Sequence, residues 1–226
     1  MLGLYVDIGN IGSEMNYHHG NLRRELLDRA AHVIAKQGIE SLSLRALAQD
    51  LGVSHAAPAR HFKDKADLLC ALATEGHNKL ADYVLLAAEA AGSDPLERYA
   101  ALGRAFVRFS LEYPAYYQAT RHPEVAAHAD KELKNASRRR MEMTADAARE
   151  AQAAGWLQGE SLQDAVTFSL AAVRGVAALL GDPLYLQSLG DVDQDALIER
   201  MVRLIIDPAN PQAARNTSKP RRRKRA

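Results

Sequence analysis

The sequence predicts an all-α protein: a group of short helices at the N-terminus, followed by a longer helical bundle. Three observations predict it. Apolar residues recur at spacings of three and four through most of the chain. Alternating runs of β-branched residues are nearly absent, while alanine is abundant. Glycine and proline punctuate the boundaries of the periodic segments, as at Gly38, Gly52, Gly92, Pro114, Gly155 and Gly181. The 226 residues, 47% apolar and 25% charged, suffice for one or two globular domains and exclude wholesale disorder. A single cysteine, Cys70, excludes an intrachain disulfide and suits a reducing cytosol.

The elements follow in order. Leu22, Leu26, Ala30, Val33 and Ile34 line one face of a first helix over about Asn21–Gln37. Asn21 is placed to cap its start, and Gly38 suits the left-handed position after its end. A short second helix, from Ser43 or Leu44 to Leu51, carries Leu44, Leu47, Ala48 and Leu51 on its buried stripe. Gly52 ends it, Val53 should fasten the turn to the core, and Ser54 should cap a third helix ending near Phe62. Longer helices are expected over Lys65–Ala91, Pro95–Tyr113, Pro123–Gln152, Leu162–Leu180 and Asp195–Ile206, with a short one over Ala115–Arg121. The resulting division is a flexible extension (1–16), a first domain (17–64), a second domain (65–208) and a basic, disordered tail (209–226).

The net charge of +1 conceals an asymmetry. Met15–Ala66 holds eight basic and five acidic residues, Asp67–Ala214 holds 14 basic and 21 acidic, and Arg215–Ala226 holds seven basic and none acidic. A basic head and a basic tail flanking an acidic body hint at contact with nucleic acid. The longest apolar stretch, Ala165–Leu180, is interrupted by Arg174 and falls short of the ~18 residues of a membrane span. The N-terminus lacks the pattern of a signal peptide, so a cytoplasmic location is expected.

Two short helices joined by Gly52-Val53-Ser54 form a helix-turn-helix signal. The free N–H groups at the start of the second of them suit a major groove and its phosphates. The wider stretch from Tyr17 to Leu69 resembles the TetR/AcrR family of bacterial transcriptional regulators. Leu27, Ala30, Ala31 and Gly38 carry the resemblance in the first helix. Ser43, Arg45, Leu47, Ala48, Leu51, Gly52, Val53 and Ser54 carry it through the turn, and Arg60-His61-Phe62-Lys63-Asp64-Lys65 with Leu68 and Leu69 completes it. One departure stands out: Ala56-Ala57-Pro58-Ala59 replaces the family's small residue, Thr, Leu and Tyr, so its phosphate-contacting tyrosine has no counterpart at Ala59. Pro58 also withholds a backbone N–H early in the expected helix.

The resemblance implies a sequence-specific regulator of double-stranded operator DNA, most simply a repressor released from a palindromic operator by a small-molecule effector. It implies that Ser43 and Arg45 face DNA from the second helix, that Ser54, His55, Ala56 and Ala57 lead the recognition helix, and that Arg60, His61 and Lys65 approach phosphates. His55 can bond a base edge, and the Ala56 and Ala57 methyls suit a thymine methyl. With so few long side chains at the leading edge, part of the specificity should come from DNA shape.

The helix Leu162–Leu180 is apolar nearly all round and rich in small residues, so it should be buried on all sides. With the last helix (Leu197, Ile198, Met201, Val202, Ile205) it suits a four-helix homodimer interface, as the family resemblance implies. The resemblance also implies an effector cavity in the body. Candidate lining residues are Phe106, Phe109, Tyr113, Tyr117, Met141, Phe168 and Arg174, with Tyr116, Met143 and Trp156 nearby in the pattern. Arg174 is the informative polar residue: inside an apolar helix it must meet a carboxylate, a partner chain or a ligand anion. The Arg138-Arg139-Arg140 run reads as surface charge.

Other chemistries find little support. There is no glycine-rich phosphate loop, nucleophile elbow or zinc-binding helix, so no enzyme and no cofactor is expected. The adjacent His18 and His19 lack the partners of a metal site, and Asp191, Asp193 and Asp195 lack the glycine and glutamate of a calcium loop. The alternative is an all-helical adaptor or assembly factor with a degenerate DNA-binding head.

Overall fold

The computed structural model describes residues 21–207. The N-terminal extension, His18, His19 and the basic tail lie outside the described residues. All regular elements among the described residues are helices: α1 (Leu22–Gln37), α2 (Leu44–Asp50), α3 (Lys65–Ala90), α4 (Pro95–Glu112), α5 (Pro114–Ala119), α6 (Pro123–His128), α7 (Lys131–Ala153), α8 (Leu162–Leu180), α9 (Pro183–Leu189) and α10 (Gln194–Ile206).

The apolar periodicity of α1 buries Leu26, Leu27, Ala30, Val33 and Ile34, and Gly38 ends the helix at φ +83°, where a side chain would be strained. Leu47 and Ala48 of α2 and Phe62 close the small core of the head. The Arg23 guanidinium lies 5.2 Å from the centroid of the Phe62 ring, sealing its outer face. Helix α3 is the common member of both parts. Its first two turns carry buried Leu68, Leu69 and Leu72 beside the head, and Leu80, Val84 and Ala88 farther along belong to the body. The apolar core therefore runs without a break from α1 to α10.

In the body, α3, α4, α7, α8 and α10 pack around one another, with α5 and α6 bridging from α4 to the flank of α3. Gly76 permits α5 to approach α3 closely. A Cβ there would stand 3.1 Å from both the Tyr116 carbonyl oxygen and Thr120 Cγ2. Trp156, in the α7–α8 connection, packs on Tyr99 at 4.8 Å between ring centroids and donates its Nε1–H to the Ile205 carbonyl, tying α4 to α10.

Several expectations change. The long helix expected over Pro123–Gln152 breaks into α6 and α7, because Asp130 turns extended and accepts the Leu133 N–H as a cap at 2.8 Å. Helix α9 was not expected. Asp182 caps it, Pro183 occupies its first turn and Gly190 (φ +73°) ends it. Asn21 and Ser43 occupy cap positions, yet neither side chain accepts a capping bond. Helix α8 is not buried on all sides in a single chain: Ala165, Val166, Ser169, Val173, Ala177 and Leu180 face inward, while Phe168 and Leu179 are exposed. Its 19 residues, with a mean hydropathy of 1.2, are long and apolar enough to cross a membrane by length and composition. The packing of its inner face on α4, α7 and α10 makes it a bundle helix instead.

Candidate functional site

The head presents a surface built from α2, the turn after it and residues 54–62. Gly52 (φ +67°) makes the turn, and the Val53 N–H is held by the Ala48 carbonyl at 2.9 Å. Val53 itself is only half-buried, so the turn is fastened through its backbone and through Leu51 rather than by the Val53 side chain.

The expected third helix, Ser54 to Phe62, does not form as one α-helix. Residues 54–57 make a turn closed by Ala57 N–H to the Ser54 carbonyl at 2.9 Å, and Pro58–Arg60 make a single 3₁₀ turn. Pro58 is the cause. A continuous helix would require the Pro58 nitrogen to donate to the Ser54 carbonyl, and proline has no N–H. The chain satisfies that carbonyl one residue early, which tightens the turn. Buried Pro58 nevertheless anchors the segment, since its carbonyl accepts from both His61 and Phe62 at 2.9 Å.

Of the residues implied in DNA contact, Ser43, Arg45, Ser54, His55, Ala56, Arg60 and His61 are exposed; Ala57 and Lys65 are half-buried. Ser54, Ala57, Arg60 and His61 share one open concavity with Leu22, Gly52 and Val53. Arg45, Arg60 and Lys63 make no ion pair among the described residues, so their charge is available to an anion. Lys65 Nζ lies 3.9 Å from Glu40, whereas Arg24 and Arg29 are engaged by Glu75 and Asp50 at 2.9 and 2.8 Å. The start of α3 beside this face is locked by a reciprocal cap: the Asp67 N–H donates to Asp64 and the Lys63 N–H donates to the Asp67 carboxylate, both at 2.9 Å.

The second candidate site is a small cavity in the body, of about 40 Å³. Leu80 and Val84 of α3, Leu102 and Phe106 of α4, Val173 of α8 and Val202 of α10 form its apolar wall. Its polar points are Arg140 and Thr144 of α7 and the Tyr99 and Ser169 hydroxyls, which bond each other at 2.6 Å. The lining, apolar with a few polar points, has the chemistry of an organic-ligand site, but at this size the surrounding helices must part to admit more than water.

Only Phe106 of the expected lining residues reaches this cavity. Phe109 is fully buried against Tyr83 and Tyr113 in a separate aromatic cluster. Tyr117 packs edge-on against Phe106 from behind, and Phe168 points outward, 51% exposed. Met141 turns its sulfur to the Arg140 guanidinium at 3.1 Å. Arg174 lies outside the wall, and its buried Nε has no partner among the described residues.

The Arg138-Arg139-Arg140 run is not uniformly surface charge. Arg138 and Arg139 are exposed, but Arg140 is only 6% exposed and lines the cavity. Its Nε donates to His77 Nδ1 at 3.3 Å. Burial first, then the charges of Arg140 and Arg174, hold the His77 pKa down to about 4, so the ring is neutral and can accept that bond. Burial and Arg174 lower the Arg140 pKa to about 10, which still leaves it charged at neutral pH. The sequence carried a signal for this: Arg140 falls seven residues after Leu133 and four after Ala136, on the inward stripe of α7.

Comparison with known proteins agrees with this geometry. Residues 26–72 match the family model for bacterial regulatory proteins of the tetR family, and residues 99–205 match the tetracyclin repressor-like C-terminal domain. A 64-residue stretch is 38% identical to the HTH-type transcriptional repressor Rv1474c of Mycobacterium tuberculosis, covering 28% of this chain and 34% of that one, so the chain matches about a third of that relative's length. A protein of unknown function from Rhodococcus sp. RHA1 superposes with a TM-score of 0.71 at 33% identity, over 86% of this chain and 98% of that one. The fatty acid degradation regulator FadR from Bacillus halodurans shares the fold at 17% identity, with a TM-score of 0.65 over 83% and 95% of the two chains. With its head and its body each matching, this chain belongs to the TetR family of bacterial transcriptional regulators.

Proposed function

We propose that the chain acts in the cytoplasm as a homodimeric repressor that leaves a palindromic operator when a small-molecule effector enters the body cavity. The observation that carries this reading is the sharing of α3. One helix begins beside the exposed Arg60, His61 and Lys63 and ends as a wall of the cavity, through Leu80 and Val84. An effector then needs only to favour one tilt of α3 over another to change DNA affinity. Ser43, Arg45, Ser54, His55, Ala56, Ala57, Arg60, His61 and Lys65 are the proposed DNA-contacting residues, with phosphate contacts positioning and base contacts specifying. Phe106 is retained as a proposed effector contact; Arg140, Val173 and Val202 join it. The exposed side of α8, with Phe168 and Leu179, and the exposed Leu204 of α10 supply an apolar surface suited to a two-fold interface.

Selection of bound sequences from a random DNA pool tests the reading. A palindrome with half-sites about one helical turn apart is expected. The break at Pro58 is the one observation favouring an adaptor with a degenerate head, and failure to enrich any sequence would select that reading instead.

A further inference from the structure

We propose that the body cavity takes a carboxylate: its ligand is an apolar monocarboxylic acid whose anionic group pairs with the Arg140 guanidinium. The proposal rests on reading the cavity as the effector site and names the chemical class of the effector.

Three observations carry it. Arg140 is more than nine-tenths buried and forms part of the cavity wall. Its protein partners among the described residues are two neutral atoms, His77 Nδ1 and Met141 Sδ, and Nη1 has none. The charge nearest in effect is another cation, Arg174, whose own buried Nε is unpartnered among the described residues. Elsewhere the fold pairs its partly buried arginines with carboxylates: Arg104 meets Glu97 at 2.5 Å and Glu199 at 3.2 Å, and Arg203 meets both at 3.1 and 3.4 Å. At Arg140 the counter-charge is missing where the cavity opens. A buried guanidinium without one is costly, and a planar carboxylate is the group its fork of donors fits best. The remaining wall is apolar apart from Thr144, Tyr99 and Ser169, which suits a hydrocarbon or aryl body. A polyphosphate would find too few donors there.

The test uses the full chain with four small probes: butyrate, benzoate and the alcohol matched to each. Fluorescence of Trp156, the only tryptophan, reports binding, because its ring packs on Tyr99 of the cavity wall. At least one acid should bind about tenfold or more tighter than its alcohol, in line with a charge-assisted bidentate pair. The Arg140→Met variant should lose that preference while still binding the alcohol. It should also melt higher than the unmodified chain without ligand, since an unpaired buried charge is gone; Arg140→Lys should retain a weakened preference for the acid. Acids that bind no tighter than alcohols, or a preference that survives Arg140→Met, would overturn the proposal. The effector reading fails separately. If an acid binds through Arg140 and leaves operator affinity unchanged, the carboxylate site stands and the release mechanism does not. If neutral molecules release the operator with no preference for acids, the reverse holds.

Discussion

Acidification should destabilise this protein through one residue, His77. The ring is buried beside Arg140 and its pKa is held near 4, against 6.5 for an exposed imidazole. The folded value lies below the unfolded one, so between these limits the unfolded chain binds a proton that the native chain refuses. Stability therefore falls as pH falls: the full benefit of a neutral His77 is present above about pH 6.5 and is lost progressively towards pH 4. Linkage between these two pKa values gives a loss of about 2 kcal/mol at pH 5 and about 3 kcal/mol at pH 4. The comparison variant is His77→Gln, whose side-chain oxygen can still accept the Arg140 Nε–H but cannot titrate. Urea unfolding, at fixed protein concentration and at steps from pH 8 to 4.5, should give two stability curves. They should run parallel above pH 7 and diverge below it, the unmodified chain losing more. Carboxylates titrating elsewhere cancel in the difference. Curves parallel to within about 0.5 kcal/mol down to pH 4.5 would refute the reasoning, as would an NMR titration that places His77 near its ordinary value.

Other perturbations probe separate parts of the structure. Asp130→Ala removes the cap that starts α7 and should cost about 1 kcal/mol, with hydrogen-exchange protection lost first at the Leu133 amide. Gly76→Val drives a side chain into the Tyr116 carbonyl and Thr120, and should cost about 1–3 kcal/mol in thermal unfolding. Arg24 holds Glu75 through Nη1 at 2.9 Å, so a double-mutant cycle of Arg24→Met with Glu75→Gln should show a coupling below about 1 kcal/mol, because both groups keep solvent contact. Lys65→Ala should weaken DNA binding about equally across sequences and lower its salt dependence, while His55→Ala should change sequence preference; equal effects on all sequences would collapse that division of roles.

The sequence made the helices of the head and body legible because their buried faces repeat at spacings of three and four, as in Leu26, Ala30 and Ile34 or Ala165, Ser169 and Val173. It misled where a single residue overrides the pattern. Pro58 breaks the third helix by withholding one donor, and Asp130 breaks another by offering a better cap. The head's polar surface could be named in advance because its residues cluster within twenty-three positions, Ser43 to Lys65. The cavity could not, since its wall gathers side chains from five helices far apart in the chain. Aromatic residues looked like ligand contacts, yet Phe109 and Tyr113 fill core against Tyr83 and Phe168 faces out. Arginine 140 was hidden by two exposed neighbours of the same kind.

The length of α3 has a mechanical consequence. Twenty-six residues at ~1.5 Å each make a rigid arm of about 39 Å, with the cavity wall toward one end and the start of the DNA-facing head at the other. Pivoting such an arm by only about 3° sweeps its far end through roughly 2 Å. In a two-fold pair the two ends sweep in opposite senses, so the displacement doubles. A major groove set at fixed intervals along DNA tolerates little of that. On the proposed mechanism no hinge and no melted segment is needed for a response to the cavity's occupant: a shift smaller than a methyl group at Leu80 and Val84 would be geared up before it reached the groove.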